Sequence, residues 1–204
     1  MLFAGVASRM SAQEPCDACP NLSPADPWKE LEEGNLRFVE GKPQQRKDQC
    51  RLACTSTGQK PFAVVLTCAD SRVAPEVLFD QRIGDLFVVR VAGNVATDEA
   101  IGSIEYAVEH LHTPGIIVVL GHEKCGAVEA ALQGEPAEGM VSSVLNRIYP
   151  SLQSLPKSDL DKAIRANVAL TARLLPRYSA VIRGHHTPVV GAHYSIQTGR
   201  VTRV

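Results

Sequence analysis

Aromatic residues make up only 5% of this 204-residue sequence, with a single tryptophan, Trp28. Its core must therefore be built mainly from aliphatic side chains. No charge of one sign dominates: 21 Lys and Arg stand against 22 Asp and Glu, a formal net charge of −1. That balance excludes the basic footprint of a nucleic-acid binder and the polybasic patch of a protein drawn to an anionic membrane. No apolar run approaches the ~20 residues needed to span a bilayer. The longest, Gly115 to Gly121, is strand-sized. Repeats and low-complexity tracts are also missing, which argues against repeat architectures. What is present, 45% hydrophobic and 21% charged residues, suffices for one packed, soluble domain with a small-molecule ligand. The opening MLFAGVASRM has a short apolar patch but no basic leading segment, so a cytoplasmic protein is expected, with export as the alternative.

Residues 1–26 are rich in Pro, Ser, Ala and Asp and read as an N-terminal arm, leaving 27–204 as the single domain. From Pro27 to Gly41, Trp28, Leu31, Asn35 and Phe38 fall on one side, with Asp26 as N-cap and Gly41 as stop, which predicts a helix. Lys42 to Lys60 is a polar connection with room for one more helical turn. Short, β-branched runs follow at Phe62–Thr67, Asp85–Val91 and Ile116–Leu120. Continuous apolarity predicts parallel strands covered on both faces. Helical segments lie between them, near Pro75–Phe79 and over Asp98–His112, where Ile101, Ile104, Glu105, Val108 and Leu111 trace a stripe. Further helices are expected after Gly126, up to Tyr149, and over Ser158–Leu175 with Pro176 ending it. A last strand, Pro188–Tyr194, precedes a turn at Thr198-Gly199. The pattern is α/β: a mainly parallel sheet of about four strands flanked by helices.

Two chemical clusters sit directly after predicted strands: Cys68-Ala69-Asp70-Ser71-Arg72, and Gly121-His122-Glu123-Lys124-Cys125-Gly126. In an open parallel sheet, ligands collect outside the carboxyl ends of the strands, so segments far apart in sequence can share one site. Cys68, His122 and Cys125 supply two thiolates and an imidazole, three tetrahedral positions on Zn²⁺ with the fourth left open, as catalysis requires. Asp70 lies two residues from Cys68, on the same side of an extended chain. Arg72 can grip its carboxylate bidentately and keep it ionised. The pair could orient a water and accept its proton, and Arg72 would hold Asp70 away from the metal's open position. A lone Cys, His or Asp-x-Arg is usually structural; together at matching strand ends they point to a metal site. His110, His112, His185, His186 and His193 read as surface residues.

CADSR (Cys68–Arg72) and GHEKCGAV (Gly121–Val128) resemble the two signature segments of β-class carbonic anhydrases. RVAPEVLFDQRIGDLFVVRVAGNV, GSIEYAVEHL and VVGAHYSIQTG also resemble that family, and the likeness runs from about Trp28 through Arg200. It implies four parallel strands and reversible hydration of carbon dioxide to bicarbonate. It also implies dimers, alone or paired into tetramers, with sites near the dimer interface. It carries zinc ligation onto Cys68, His122 and Cys125, the Asp/Arg dyad onto Asp70 and Arg72, and the substrate-pocket glutamine onto Gln59. Phe87 and Tyr106 match pocket-lining aromatics, and Gly126 the small residue beside the second zinc cysteine. A subgroup of the family has tryptophan three residues before the first zinc cysteine, favouring a closed state in which the aspartate, here Asp70, binds zinc. Val65 stands there, so the chain looks like the constitutively open subgroup. Related zinc sets hydrolyse carbonyl sulfide or carbon disulfide, and a non-catalytic zinc or redox sensor is the alternative from another class. Cys16, Cys19, Cys50 and Cys54 lie outside the signatures; free thiols, disulfides and a second, structural zinc all remain open.

Overall fold

The aliphatic runs become strands because both of their faces can be covered. The computed structural model describes residues 23–44, 48–111, 115–153 and 155–204. In it β1 (Ala63–Thr67) and β3 (Ile116–His122) are buried at every position. They form the middle of a sheet that also contains β2 (Leu86–Arg90), β4 (Val189–Tyr194) and β5 (Val201–Arg203), in the order β2-β1-β3-β4-β5. The first four strands are parallel. The fifth runs antiparallel to β4 and adds one strand to the four expected. Three residues, Val-Thr-Arg, are too few to carry a readable period, and only pairing with β4 makes them a strand.

Side chains alternate across the sheet. Val65 and Val118 face Trp28, Leu31 and Phe79, on the side of helices α1 (Pro27–Val39) and α3 (Pro75–Leu78). Val64, Leu66, Ile117 and Val119 face Ile104, Val168 and Ile182. These last come from α4 (Asp98–Glu109), α7 (Leu160–Tyr178) and α8 (Ala180–Gly184). A third apolar cluster gathers Cys68 and Cys125 with Val128, Leu145 and Ile148, contributed by α5 (Gly126–Gln133) and α6 (Val141–Ile148).

The expected helix starts are present where a side chain caps them. Asp26 accepts from the Lys29 N–H at 3.0 Å, with Pro27 in the first turn of α1. The connection after α1 holds more helix than one turn, namely α2 (Asp48–Thr55). Pro176 does not end α7, which continues to Tyr178. A proline in a last turn removes one hydrogen bond and leaves the earlier ones intact. The break falls at Ser179, whose Oγ accepts from Ile182 N at 3.0 Å and starts α8. On α4 the buried face is Ala100, Ile104, Ala107 and Val108, so the expected stripe was rotated. Glu105 sits at its border, accepting from Ser179 Oγ at 2.6 Å. No helix among the described residues is long and apolar enough to cross a membrane.

Asn35 explains a polar residue on the inner stripe of α1. Its Nδ2 donates to Leu78 O at 3.0 Å and Gly199 O at 2.8 Å, while Oδ1 accepts from Val201 N at 2.8 Å. One amide thus ties α1 to α3 and to the entry of β5. Asn35→Leu, which fills similar space but leaves three backbone groups without partners, is expected to cost about 2–3 kcal/mol. Chemical denaturation compared with the wild type checks this.

Candidate metal centre

Parallel pairing aligns Thr67 with Leu120, so β1 and β3 release their chains at the same sheet edge. Cys68 follows β1 directly, and His122 is the last residue of β3. Lys124 then takes a left-handed φ of 54°, which folds the chain back so that Cys125 caps the start of α5. A non-glycine residue adopts that conformation only under local constraint. The result brings one sulfur from Cys68, one from Cys125 and a ring nitrogen of His122 within 4.8 Å of one another. All three residues are buried.

The donor atoms fit a metal. His122 Nδ1 lies 2.9 Å from Glu123 O. A carbonyl can only accept, so Nδ1 carries the proton and Nε2 presents its lone pair. Among the described residues that buried Nε2 has no hydrogen-bond partner, an uncompensated cost that a bound cation would remove. Cys68 and Cys125 are both free thiols. A hydrogen bond from Cys125 holds the Cys68 thiol well below its usual range, while that same contact and burial push Cys125 up. A cation bound between the two sulfurs would displace their protons and hold both as thiolates. Two thiolates and an imidazole are the soft, tetrahedral set that zinc takes.

Asp70 stands at the accessible side of this group. Its Oδ2 is 3.7 Å from His122 Nε2. Arg72 grips the carboxylate with Nε on Oδ1 at 2.9 Å, a terminal nitrogen on Oδ2 at 2.7 Å and its backbone N–H on Oδ1 at 2.9 Å. The Arg72 guanidinium holds the Asp70 carboxyl far below the usual carboxylate range, outweighing the opposing effect of burial. Arg90 escaped the sequence reading. It donates to Asp70 O at 2.7 Å and to Cys68 O at 3.3 Å, fixing the backbone from Cys68 to Asp70. A lone arginine closing the apolar run DLFVVRV was the only signal for it.

Of the other candidate residues, Gln59, Phe87 and Tyr106 do not join this group within one chain. Gln59 is exposed and lines a polar pocket with Arg51, Cys54 and Gly84. Phe87 packs beside Val64 and Ile104 in the core, and Tyr106 is 49% exposed with its ring against His110. Gly126 does adjoin Cys125, as the first residue of α5, and a Cβ there would meet open space. His193, expected at the surface, is buried, with Arg165 at 3.3 Å and Asp161 at 3.3 Å. Val65 is fully buried in β1. Cys50 and Cys54 are both disulfide-bonded, which decides among the alternatives for these two. Cys16 and Cys19 lie outside the described residues.

The carbonic anhydrase family model matches residues 63–201. Carbonic anhydrase 2 of Mycobacterium tuberculosis is 43% identical over 196 residues, covering 89% of this chain and 93% of its own length. A carbonic anhydrase of Mycolicibacterium smegmatis is 43% identical over 195 residues, with 89% and 94% covered. Among solved structures, a Coccomyxa β-carbonic anhydrase in complex with acetazolamide superposes with a TM-score of 0.69 at 27% identity, covering 84% of this chain and 83% of that one. A β-carbonic anhydrase of Aspergillus fumigatus gives 0.68 at 28% identity, covering 75% and 79%. Likeness in both sequence and fold extends well beyond the two motifs, and the chain therefore belongs to the β-carbonic anhydrase family.

Proposed function

We propose that this enzyme catalyses the reversible hydration of carbon dioxide to bicarbonate and a proton, using one zinc ion held by Cys68, His122 and Cys125. The observation that carries this reading is the buried, unpartnered Nε2 of His122 facing two free cysteine sulfurs in a chain of this family. Zinc, when bound, supplies the Lewis acidity that makes water nucleophilic near neutral pH. The protein supplies orientation. Asp70 accepts a hydrogen bond from the reacting water through Oδ2, and Arg72 keeps that oxygen ionised and aimed. The bidentate Arg72 contact aims Asp70 as an orienting acceptor, and the proton passes on to solvent or buffer. The Arg72 grip also favours an open fourth position on the metal.

Gln59, Phe87 and Tyr106 complete the substrate pocket in this reading, with the Gln59 amide donating to a carbonate oxygen. Their placement away from the metal group in one chain supports a pocket assembled between two copies, as a homodimer or a dimer of dimers. Exposed Leu52, Val77, Ile83, Met140, Val141 and Tyr178 provide apolar surface for such contacts. Stopped-flow hydration on metal-quantified protein between about pH 6.5 and about 9 is the test. Fast turnover with about one zinc per chain supports the proposal. Bound zinc without hydration at any pH sinks it, and turns attention to carbonyl sulfide, carbon disulfide or a sensing role.

The disulfide-bonded Cys50 and Cys54 support the exported alternative over the cytoplasmic one, since disulfides persist in oxidising compartments. The two residues are four apart on α2, where Cβ atoms stand about 5–6 Å apart. A disulfide spans about 3.5–4.5 Å between Cβ atoms. That spacing disfavours a bridge between the two. Alkylation before reduction is expected to leave Cys50 and Cys54 unmodified, and alkylation after reduction to label both. Reduction is expected to cost about 2–4 kcal/mol per bridge, read as a lowered thermal midpoint. α2 also carries Arg51, which holds Ile83 O at 2.9 Å and pairs with Asp85, so loosening it would disturb the Gln59 pocket.

A further inference from the structure

The sulfur of Cys68 receives a hydrogen bond from a segment 25 residues away: the N–H of Gly93 donates to Sγ at 3.3 Å. Gly93 lies in a tight turn, Ala92–Asn94, that follows β2. Two successive residues of this turn are left-handed, Gly93 with φ 67° and Asn94 with φ 47°. A Cβ on Gly93 would stand 2.8 Å from Cδ1 of Ile148, so a larger residue there would push that side chain aside. What holds the turn in that attitude comes from another element. On α7, Asn167 donates from Nδ2 to Gly93 O at 2.8 Å.

Asn167 is 1% exposed, among Ile164, Val168 and Thr171 on the inner face of α7. Its Oδ1 is buried without a partner. An amide there bears a desolvation cost that leucine, of similar volume, would avoid. Among the described residues, the one hydrogen bond that the Asn167 side chain makes is the one that fixes Gly93. A thiolate that accepts an N–H bond donates less charge to its metal, and outer-sphere groups of this kind tune both affinity and Lewis acidity.

The geometry points to Asn167 as a positioning residue for the metal centre: it locks the Ala92–Asn94 turn so that Gly93 N–H donates to Cys68 Sγ and draws charge off that ligand. This role rests on the zinc reading above. It makes α7, which contributes no ligand, a determinant of how the site binds and polarises its metal.

Cobalt substitution tests it with a readout other than turnover. In the cobalt-loaded wild type and Asn167→Leu, the sulfur-to-metal charge-transfer band reports the charge on the thiolates. The variant is expected to show this band at lower energy than the wild type, because Cys68 then donates more charge to the metal. A folded Asn167→Leu with one cobalt per chain and an unmoved band overturns the assignment, even if its thermal midpoint falls, because that is what a packing role alone would give. Should the variant not fold, the wild type loaded with cadmium-113 decides: the Gly93 amide proton is expected to couple to the metal through the N–H···S contact, and a missing coupling overturns the proposal. A wild type that takes up neither cobalt nor cadmium overturns the zinc reading and this role together.

Discussion

Cys125→Ser is expected to remove stoichiometric zinc and to lower carbon dioxide hydration by on the order of 10⁴-fold or more, close to the uncatalysed rate, with the fold intact. The substitution changes a sulfur to an oxygen at a position 1% exposed, so packing alters little. Serine is also a good helix N-cap, and residue 125 caps α5. Ligation is what it destroys. The Cys125 thiol, already pushed up by the neighbouring Cys68 sulfur and by burial, still yields its proton to a metal cation, because a thiolate is a strong zinc ligand. An alcohol does not ionise there, which leaves one thiolate and one imidazole, too few for a tetrahedral site. In the wild type, zinc uptake is expected to release protons and to tighten as pH rises. Metal analysis after dialysis against chelator, circular dichroism and stopped-flow assay check the variant together. Retained zinc with full activity would remove Cys125 from the ligand set.

Arg72→Ala is expected to keep zinc yet lose roughly 10–100-fold in turnover at neutral pH. Without the Arg72 guanidinium the backbone N–H of residue 72 still holds Oδ1, but Oδ2 is released and starts only 3.7 Å from His122 Nε2. It is then free to turn onto the metal position itself and occupy the open site. The sign of the pH effect follows. Arg72 depresses the Asp70 carboxyl in the folded protein, so the pair stabilises the fold above the ordinary carboxylate pKa of about 4 and that gain is lost as pH falls through the depressed value. In the variant the carboxyl returns upward toward about 4 and stays ionised at pH 7, so protonation cannot account for the loss. Competition by hydroxide for the same position grows with pH, and the deficit is expected to shrink toward about pH 9. Full activity at neutral pH would show that Arg72 does not gate Asp70.

Local chemistry was the legible part of this protein. Runs such as FAVVLT and IIVVL are strands because their β-branched, continuously apolar sequences tolerate burial on both faces. Asp26 marked the start of α1 because its side chain caps the three-residue-distant N–H. The ends of elements were less legible. Pro176 looked like a stop, but proline costs little in a last turn, and Ser179 made the break through a contact with Ile182. β5 exists only by pairing with β4. His193 looked like a surface residue because nothing in its neighbours reveals that α7 covers it.

The sequence by itself determined which side chains can do chemistry: two cysteines, a histidine and an Asp-x-Arg pair, each placed at or just beyond a strand's carboxyl end by composition and turn chemistry. Tertiary structure alone decided their company. Register put Thr67 beside Leu120 and so drew two segments into one site, while Arg90, Gly93 and Asn167 reached it from three further places in the chain. It also set Gln59 and Tyr106 on exposed surface apart from the metal group. Periodicity and capping are properties of neighbouring residues and can be read along a chain, whereas convergence depends on strand order, crossover and helix packing, which a short window of sequence does not encode.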